Sequence, residues 1–252
     1  MADIILGRRA LIGSVVSLPL LTGCDALNES PVFRKILSMG EVMHQHSQRT
    51  LMDRGALARE FDRSDLSPTF RANGSQMVEG PSYAAHVASG FRDWRVRVGG
   101  LVRNPLSLSM ADIRTLPQRR QITRHDCVEG WSAIGAWQGA RLGPILAAVQ
   151  LLPAARYIVF RCADRIGGVP YYESVDLVDA LHPQTILAWQ LNDRTLPVAN
   201  GAPLRLRVER HLGYKHAKFI ESIEAVASLN GIGAGKGGFW EDRVDYEWYA
   251  GI

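Results

Sequence analysis

Several short segments of this chain alternate apolar and polar residues, which is typical of strands with one buried face. Residues 93–102, "DWRVRVGGLV", alternate Trp and Val with Arg, and residues 202–209, "APLRLRVE", alternate Leu and Val with Arg. Residues 156–164, "RYIVFRCAD", form a nearly continuous apolar run instead, which predicts a fully buried strand containing Cys162. The pattern therefore predicts several short strands around one core.

Helical patterns are fewer and shorter. Residues 108–117, "LSMADIRTLP", predict a helix with Ser109 as its N-cap and Pro117 beyond its end. Residues 141–152, "RLGPILAAVQLL", predict a second short helix, and residues 218–229, "KFIESIEAVASL", fit a strand or a helix. Since no βαβ alternation and no long repeat is present, we expect an α+β domain of mixed sheets with short helices.

The N-terminus has the layout of an export signal. Arg8 and Arg9 precede an uncharged apolar run, and "LTGC" ends at Cys24. The paired arginines suggest a twin-arginine signal, which carries folded proteins to the periplasm, and Cys24 is a candidate lipid anchor. We expect a signal at 1–24, an arm or linker at 25–75, the main domain at 76–230 and an aromatic, glycine-rich tail at 231–252.

Composition narrows the classes of ligand. The chain has 29 Lys and Arg against 25 Asp and Glu, a net charge of +4. No basic block is interleaved with aromatic residues, so the sequence gives no reason to expect nucleic acid binding. A small anionic ligand fits this mild excess of positive charge better.

Cys127, in "RHDCVEGWSAIGAW", is the candidate chemical group. A core thiol, a nucleophile paired with His125 and a metal ligand are the three alternatives. No oxyanion-hole motif surrounds it, and no second cysteine or histidine lies at zinc spacing. A disulfide with Cys162 also stays open if the protein is exported. The residues around Cys127 also allow a third role. Its thiolate could ligate a metal whose other ligands come from a cofactor and not from protein groups.

A basic, glycine-containing segment follows at residues 200–218, "NGAPLRLRVERHLGYKHAK". Positive side chains and backbone amides together can bind a phosphate group. We expect Arg207 and Arg210 on a solvated strand face, whereas Arg205, Lys215 and Lys218 are candidates for ligand binding.

Residues 91–229 resemble, in order, the sulfite oxidase family of molybdopterin enzymes. The words "CVEGWS" and "NGAPLR" carry most of this resemblance. It implies a sulfite oxidase-type molybdopterin-binding fold over 76–230, a molybdenum–molybdopterin cofactor, and Cys127 as the catalytic residue and molybdenum ligand. The further cofactor-binding residues that it implies are Arg71, Asn73, Asp164, Asn200, Arg205, Lys215, His216 and Lys218.

The resemblance also implies two-electron oxygen-atom transfer, and we expect reduction of a small S-oxide or N-oxide. No positive charge follows Cys127 before Arg141, which argues against a sulfite pocket. Sulfite oxidation and a non-catalytic cofactor-binding or interaction role remain alternatives. The chain has no haem motif, so electrons would pass through a separate carrier, either a membrane haem protein or a cytochrome c. Asp126, Glu129 and Trp131 are expected close to the sulfur of Cys127.

Overall fold

The computed structural model of the chain describes residues 29–252. It has two compact units, with the division between Leu51 and Met52. The described part of the first unit is helix α1, Pro31–Leu51, whose 21 residues lie in the segment predicted as an arm or linker. The predicted export signal, with Arg8, Arg9 and Cys24, lies outside the described residues. No helix within residues 29–252 combines the length and the apolar character needed to cross a membrane.

The second unit contains two sheets. The first has the strand order β2-β1-β10-β5-β6, and the second has the order β3-β4-β7-β8 with β9 paired to β7. The strands are β1 Arg95–Gly100, β2 Leu106–Ser109, β3 Gln118–Asp126, β4 Ser132–Arg141, β5 Tyr157–Ile166, β6 Val169–Asp176, β7 Ile186–Leu191, β8 Arg194–Thr195, β9 Arg205–Arg207 and β10 Ile220–Val226. Only the pairing of β1 with β10 is parallel among these strands.

Short helices connect and cover these sheets. They are α2 Pro81–Ala88, α3 Met110–Thr115, α4 Leu142–Val149, α5 Leu177–Ala180 and α6 Phe239–Val244. The predicted N-cap of α3 is confirmed: the Ser109 hydroxyl accepts from the Asp112 N–H at 3.0 Å, and the Asp112 carboxylate accepts from the Ser109 N–H at 2.8 Å. This reciprocal pair satisfies two backbone donors at the start of the helix. The α+β prediction is confirmed.

The predicted strands are confirmed where only one face of the strand is buried. Val96 and Val98 of β1 are buried while Arg95 and Arg97 are exposed, and Cys162 lies buried in β5. Residues 218–229, which fitted either element, contain strand β10, since Ile220 and Ile223 pack in the core between two neighbouring strands.

The predicted boundaries at residues 75 and 230 differ from the observed division. Residues 52–75 belong to the second unit: Glu60 bridges Thr123, and the ring of Phe70 packs on Trp137 with centroids 5.0 Å apart. The segment 231–252 also packs into this unit, and the Leu212 N–H donates to Ala250 O at 2.9 Å. Phe70 of the first segment is partly buried, and Phe239 and Tyr249 of the second are buried, so both segments pack against the strands of this unit.

Candidate functional site

Cys127 stands at the start of the tight turn that joins β3 to β4. Its N–H donates to Trp131 O at 2.9 Å, and its carbonyl accepts from the Gly130 N–H at 3.0 Å. Gly130 has a φ of 86°, a conformation that favours glycine, and it closes the turn. These bonds fix the backbone on both sides of a thiol that is 9% exposed.

A cavity of about 230 Å³ opens beside this turn. Most of the residues predicted from the resemblance come together around it, although they are distant in sequence. Those that line the cavity are Arg71, Asn73, Cys127, Asp164, Arg205, His216 and Lys218. Their shared location is a finding of the structure, while their role in cofactor binding stays a prediction.

The segment around Asn73 lies over the sulfur of Cys127. Asn73 Nδ2 donates to Cys127 Sγ at 3.3 Å. The ammonium of Lys218 holds this segment, because it donates to Asn73 O at 2.7 Å, to Ala199 O at 3.2 Å and to Ser75 O. An ammonium has three donors, and these three carbonyls can accept all of them. Lys218 thereby positions the amide that contacts the sulfur, and its role in cofactor binding stays a prediction.

A buried ion pair lies behind the cavity and corrects one prediction. Arg207 is fully buried, and its Nε and Nη2 donate to the Glu209 carboxylate at 2.9 and 2.5 Å. The prediction of a solvated strand face was wrong because all three residues of β9 are buried. Arg210 is not freely solvated either, since it donates to Asp179 at 2.8 Å.

His125 joins the site through Arg207. Arg207 Nη1 lies 3.0 Å from His125 Nδ1. Since a guanidinium can only donate, Nδ1 accepts, and a neutral ring therefore carries its proton on Nε2. Burial, followed by the charges of Arg207 and Arg205, holds the pKa of His125 well below its usual value. His125, which the sequence suggests only as a partner for a nucleophile, lines the cavity as a neutral donor.

Several buried polar atoms at the site have no hydrogen-bond partner among the described residues. They are Asp164 Oδ1, Asn200 Nδ2, Arg205 Nε and His216 Nδ1. His216 Nε2 lies 2.9 Å from Val208 O, so Nε2 donates and Nδ1 is an unused acceptor. Buried polar atoms are almost always paired in folded proteins. Three of these atoms belong to residues that line the cavity, namely the donor Arg205 Nε and the acceptors Asp164 Oδ1 and His216 Nδ1, and they suit a polar ligand that offers both kinds of group.

Two of the predicted residues do not line the cavity. Asn200 lies behind Arg205, whose Nη1 donates to the Asn200 carbonyl at 3.3 Å. Lys215 is fully buried, with Nζ 2.5 Å from Glu241 Oε1 and 2.6 Å from Glu173 Oε2. The ammonium of Lys215 is therefore bound by two carboxylates away from the cavity, while its role in cofactor binding stays a prediction.

The residues expected near the sulfur separate into two groups. Glu129 and Trp131 line the cavity, and Trp131 Nε1 donates to the Glu129 carboxylate at 3.1 Å. This bond, followed by one from Asn73, lowers the pKa of Glu129. Asp126 does not line the cavity, since its carboxylate accepts from Arg124 and from the Ser132 hydroxyl.

The two cysteines of the described region are both free thiols. Within residues 29–252, no three His, Cys, Asp or Glu side chains are arranged to hold a metal ion. A metal bound at Cys127 would therefore take most of its ligands from outside this part of the chain. This arrangement suits a metal that arrives with its own sulfur ligands.

Gly213 is the glycine that the site depends on for space. A Cβ at this position would lie 2.5 Å from Nε2 and Cε1 of His125. We expect Gly213→Ala to lower the free energy of unfolding by about 1–3 kcal/mol through overpacking. Thermal unfolding of the purified protein measures this. Gly143→Ala is the matched control, because a Cβ there meets only Leu181 O at 3.6 Å; equal melting temperatures for the two variants would contradict the prediction.

The chain is similar in sequence to a described family and to several known proteins. Residues 84–230 match the family described as "Oxidoreductase molybdopterin binding domain". A protein of Azospira oryzae, provisionally named protein-methionine-sulfoxide reductase subunit YedZ1, is 36% identical over 250 residues, covering 97% of this chain and 87% of the relative. The protein-methionine-sulfoxide reductase catalytic subunit MsrP of Xanthomonas axonopodis pv. citri is 37% identical over 160 residues. The match covers 59% of this chain and about half (49%) of that relative.

Among solved structures, the chain is similar to the sulfane dehydrogenase SoxCD of Paracoccus pantotrophus. The TM-score is 0.50 at 19% identity, over 54% of this chain and 39% of that chain, which supports the fold alone. The predicted resemblance to the sulfite oxidase family is confirmed by the matched family and by the relatives together. The chain therefore belongs to the oxidoreductase molybdopterin-binding domain family, and it is an oxidoreductase with a molybdopterin site.

Proposed function

We propose that this protein is an exported molybdenum–molybdopterin enzyme that reduces a small S-oxide. The observation that carries the proposal is the isolated Cys127 thiol, held by a closed turn at a cavity and contacted by the Asn73 amide. The names of the relatives favour an S-oxide over an N-oxide, since they are protein-methionine-sulfoxide reductase subunits.

The residues around the cavity fit the proposed cofactor. A pterin carries N–H donors and ring acceptors, which can pair with Asp164 Oδ1, His216 Nδ1 and Arg205 Nε, the buried atoms without partners. Cys127 would ligate the molybdenum, and the Asn73 N–H would withdraw electron density from its sulfur. When bound, the cofactor supplies two-electron oxygen-atom transfer. The protein orients it and limits the access of water.

The proposed reaction needs a source of electrons. An S-oxide takes up two electrons and two protons, and leaves as the sulfide and water. We propose that a separate carrier, a membrane haem protein or a cytochrome c, delivers these electrons. The predicted export signal at 1–24 supports a periplasmic location, and Cys24 is proposed as the site of a lipid anchor.

The expectation that sulfite is a poor substrate rested on the uncharged run after Cys127. The cavity nevertheless receives cations from other segments, namely Arg71, Arg205 and Lys218. Two of them are engaged by the protein: Arg71 stacks on Trp131 at 5.4 Å, and Lys218 donates to three carbonyls. The experiment must therefore distinguish S-oxide reduction from sulfite oxidation.

The test is a comparison of two reactions on protein from a host that makes the cofactor. We expect dye-driven reduction of methyl sulfoxides with turnover well above that of sulfite oxidation, and molybdenum and pterin in the purified protein. Faster sulfite oxidation would replace the proposed substrate. Cofactor-loaded protein that catalyses neither reaction would point to a non-catalytic role, and protein without molybdenum would overturn the proposal.

A further inference from the structure

The segment 239–246 supplies two aromatic side chains to the mouth of the cavity. Trp240 and Tyr246 line it together with Trp131 and Tyr214, and all four are partly exposed. We call these four residues the aromatic rim. The ring centroid of Tyr246 lies 5.1 Å from that of Tyr214 and 6.1 Å from that of Trp240. These three rings therefore form one continuous surface.

The rim is rigidly supported. The Tyr214 hydroxyl donates to Glu247 O at 2.6 Å, so its polar end is already bonded to the segment that carries Tyr246. Glu241 follows Trp240 in helix α6, and its side chain is fully buried, with Oε1 2.5 Å from Lys215 Nζ. Fixed aromatic rings bind apolar groups with little loss of conformational entropy.

The charges near the rim largely cancel. Arg71 stacks on the ring of Trp131 at 5.4 Å, and Trp131 Nε1 donates to the Glu129 carboxylate at 3.1 Å. The exposed side chain of Val128, 43% accessible, adds apolar surface at the same mouth. A neutral apolar group would therefore meet aromatic and aliphatic surface without leaving a charge unpaired.

We propose that the aromatic rim determines specificity by binding the apolar substituent of a neutral S-oxide. This inference rests on the proposed function, because it names the substrate class for that same site. S-oxides with an aryl or a long thioether substituent are then preferred over dimethyl sulfoxide. Trp240 and Tyr246 act on binding and leave the oxygen-transfer step at Cys127 unchanged.

The experiment compares methyl p-tolyl sulfoxide with dimethyl sulfoxide on the cofactor-loaded protein. We expect Trp240→Ala and Tyr246→Ala each to lower kcat/KM for the aryl substrate roughly tenfold, through KM, with a change of less than about threefold for dimethyl sulfoxide. Trp248→Ala is the matched control, since Trp248 lies in the same C-terminal stretch 231–252 and donates to the Ser174 hydroxyl at 2.9 Å but does not line the cavity.

A second measurement does not depend on turnover. Calorimetric titration with methyl p-tolyl sulfone, a shape analogue of the aryl substrate, is expected to give binding that Tyr246→Ala weakens roughly tenfold. Equal losses for both sulfoxides, an equal loss in Trp248→Ala, or sulfone binding unchanged by Tyr246→Ala would overturn the role of the rim. Absence of any sulfoxide reduction by the parent protein would instead overturn the proposed function, and the sulfone titration would still test the rim.

Discussion

Cys127→Ser is expected to abolish oxygen-atom transfer. A serine hydroxyl is not a soft thiolate ligand and stays protonated at neutral pH, so the metal would lose the only ligand that we assign to this chain. Loss of a residue that merely supports a metal ligand costs 10- to 100-fold, so loss of the ligand itself is expected to cost more than about 100-fold in kcat. Steady-state sulfoxide reduction and the visible spectrum of the metal–thiolate bond measure the two consequences.

Cys162→Ser is the matched control for this substitution. Cys162 is a free thiol that is 6% exposed, against 9% for Cys127, but it lies on β5 and does not line the cavity. We expect this variant to lose about 1–3 kcal/mol of stability through a buried hydroxyl and to keep its activity per molybdenum. If Cys127→Ser kept its activity and its metal spectrum, Cys127 would not be the ligand, and a comparable loss of activity per molybdenum in Cys162→Ser would point to a general effect of the thiol replacement.

Local sequence patterns correctly predicted the elements that depend on one buried strand face or on one helix cap. The alternation at β1 and the Ser109 cap were both found, because each depends on neighbouring residues alone. The same reasoning failed at β9. Its alternation is identical in kind, but both of its faces are covered, so Arg207 is buried against Glu209 and contacts His125.

The residues of the site could be predicted only where they lie in segments that resemble the family. Cys127, Arg205 and His216 line the cavity as expected, whereas the resemblance did not reach the aromatic tail. Nothing in the spacing of residues 239–246 shows that Trp240 and Tyr246 line the same cavity as Cys127, because that placement is set by tertiary packing. The burial of Glu241 beside Lys215 is likewise a long-range effect, over 26 positions in the chain.

Lys215→Met is expected to destabilise the second unit more than any surface substitution. The side chains of Lys215, Glu173 and Glu241 are wholly buried in the fold. Burial lowers the pKa of Lys215, but the two carboxylates outweigh it and raise the pKa overall. Burial, followed by the charge of Glu241, raises the pKa of Glu173, so one proton retained by the carboxyl pair would leave the cluster neutral.

Removing the ammonium from this cluster leaves a buried carboxylate without a counter-charge, which costs about 3–5 kcal/mol. For a unit of this size the melting temperature should fall by roughly 2–4 °C for each kcal/mol. Thermal and denaturant unfolding measure the loss, and limited proteolysis tests whether the segment 231–252 is released. Lys236→Met is the control, since Lys236 pairs with Asp245 at the surface and is expected to change stability by less than about 0.5 kcal/mol.

The double variant Lys215→Met/Glu241→Gln separates charge from packing. If the unpaired carboxylate causes the loss, removing the Glu241 charge as well should restore part of the stability that Lys215→Met loses, even though a second native side chain is gone. An additive further loss in the double variant would mean that packing around Lys215, rather than its charge, holds the C-terminal segment in place. Since Glu241 lies between Trp240 and Tyr246, recovery of stability should also restore the protection of the aromatic rim from proteolysis.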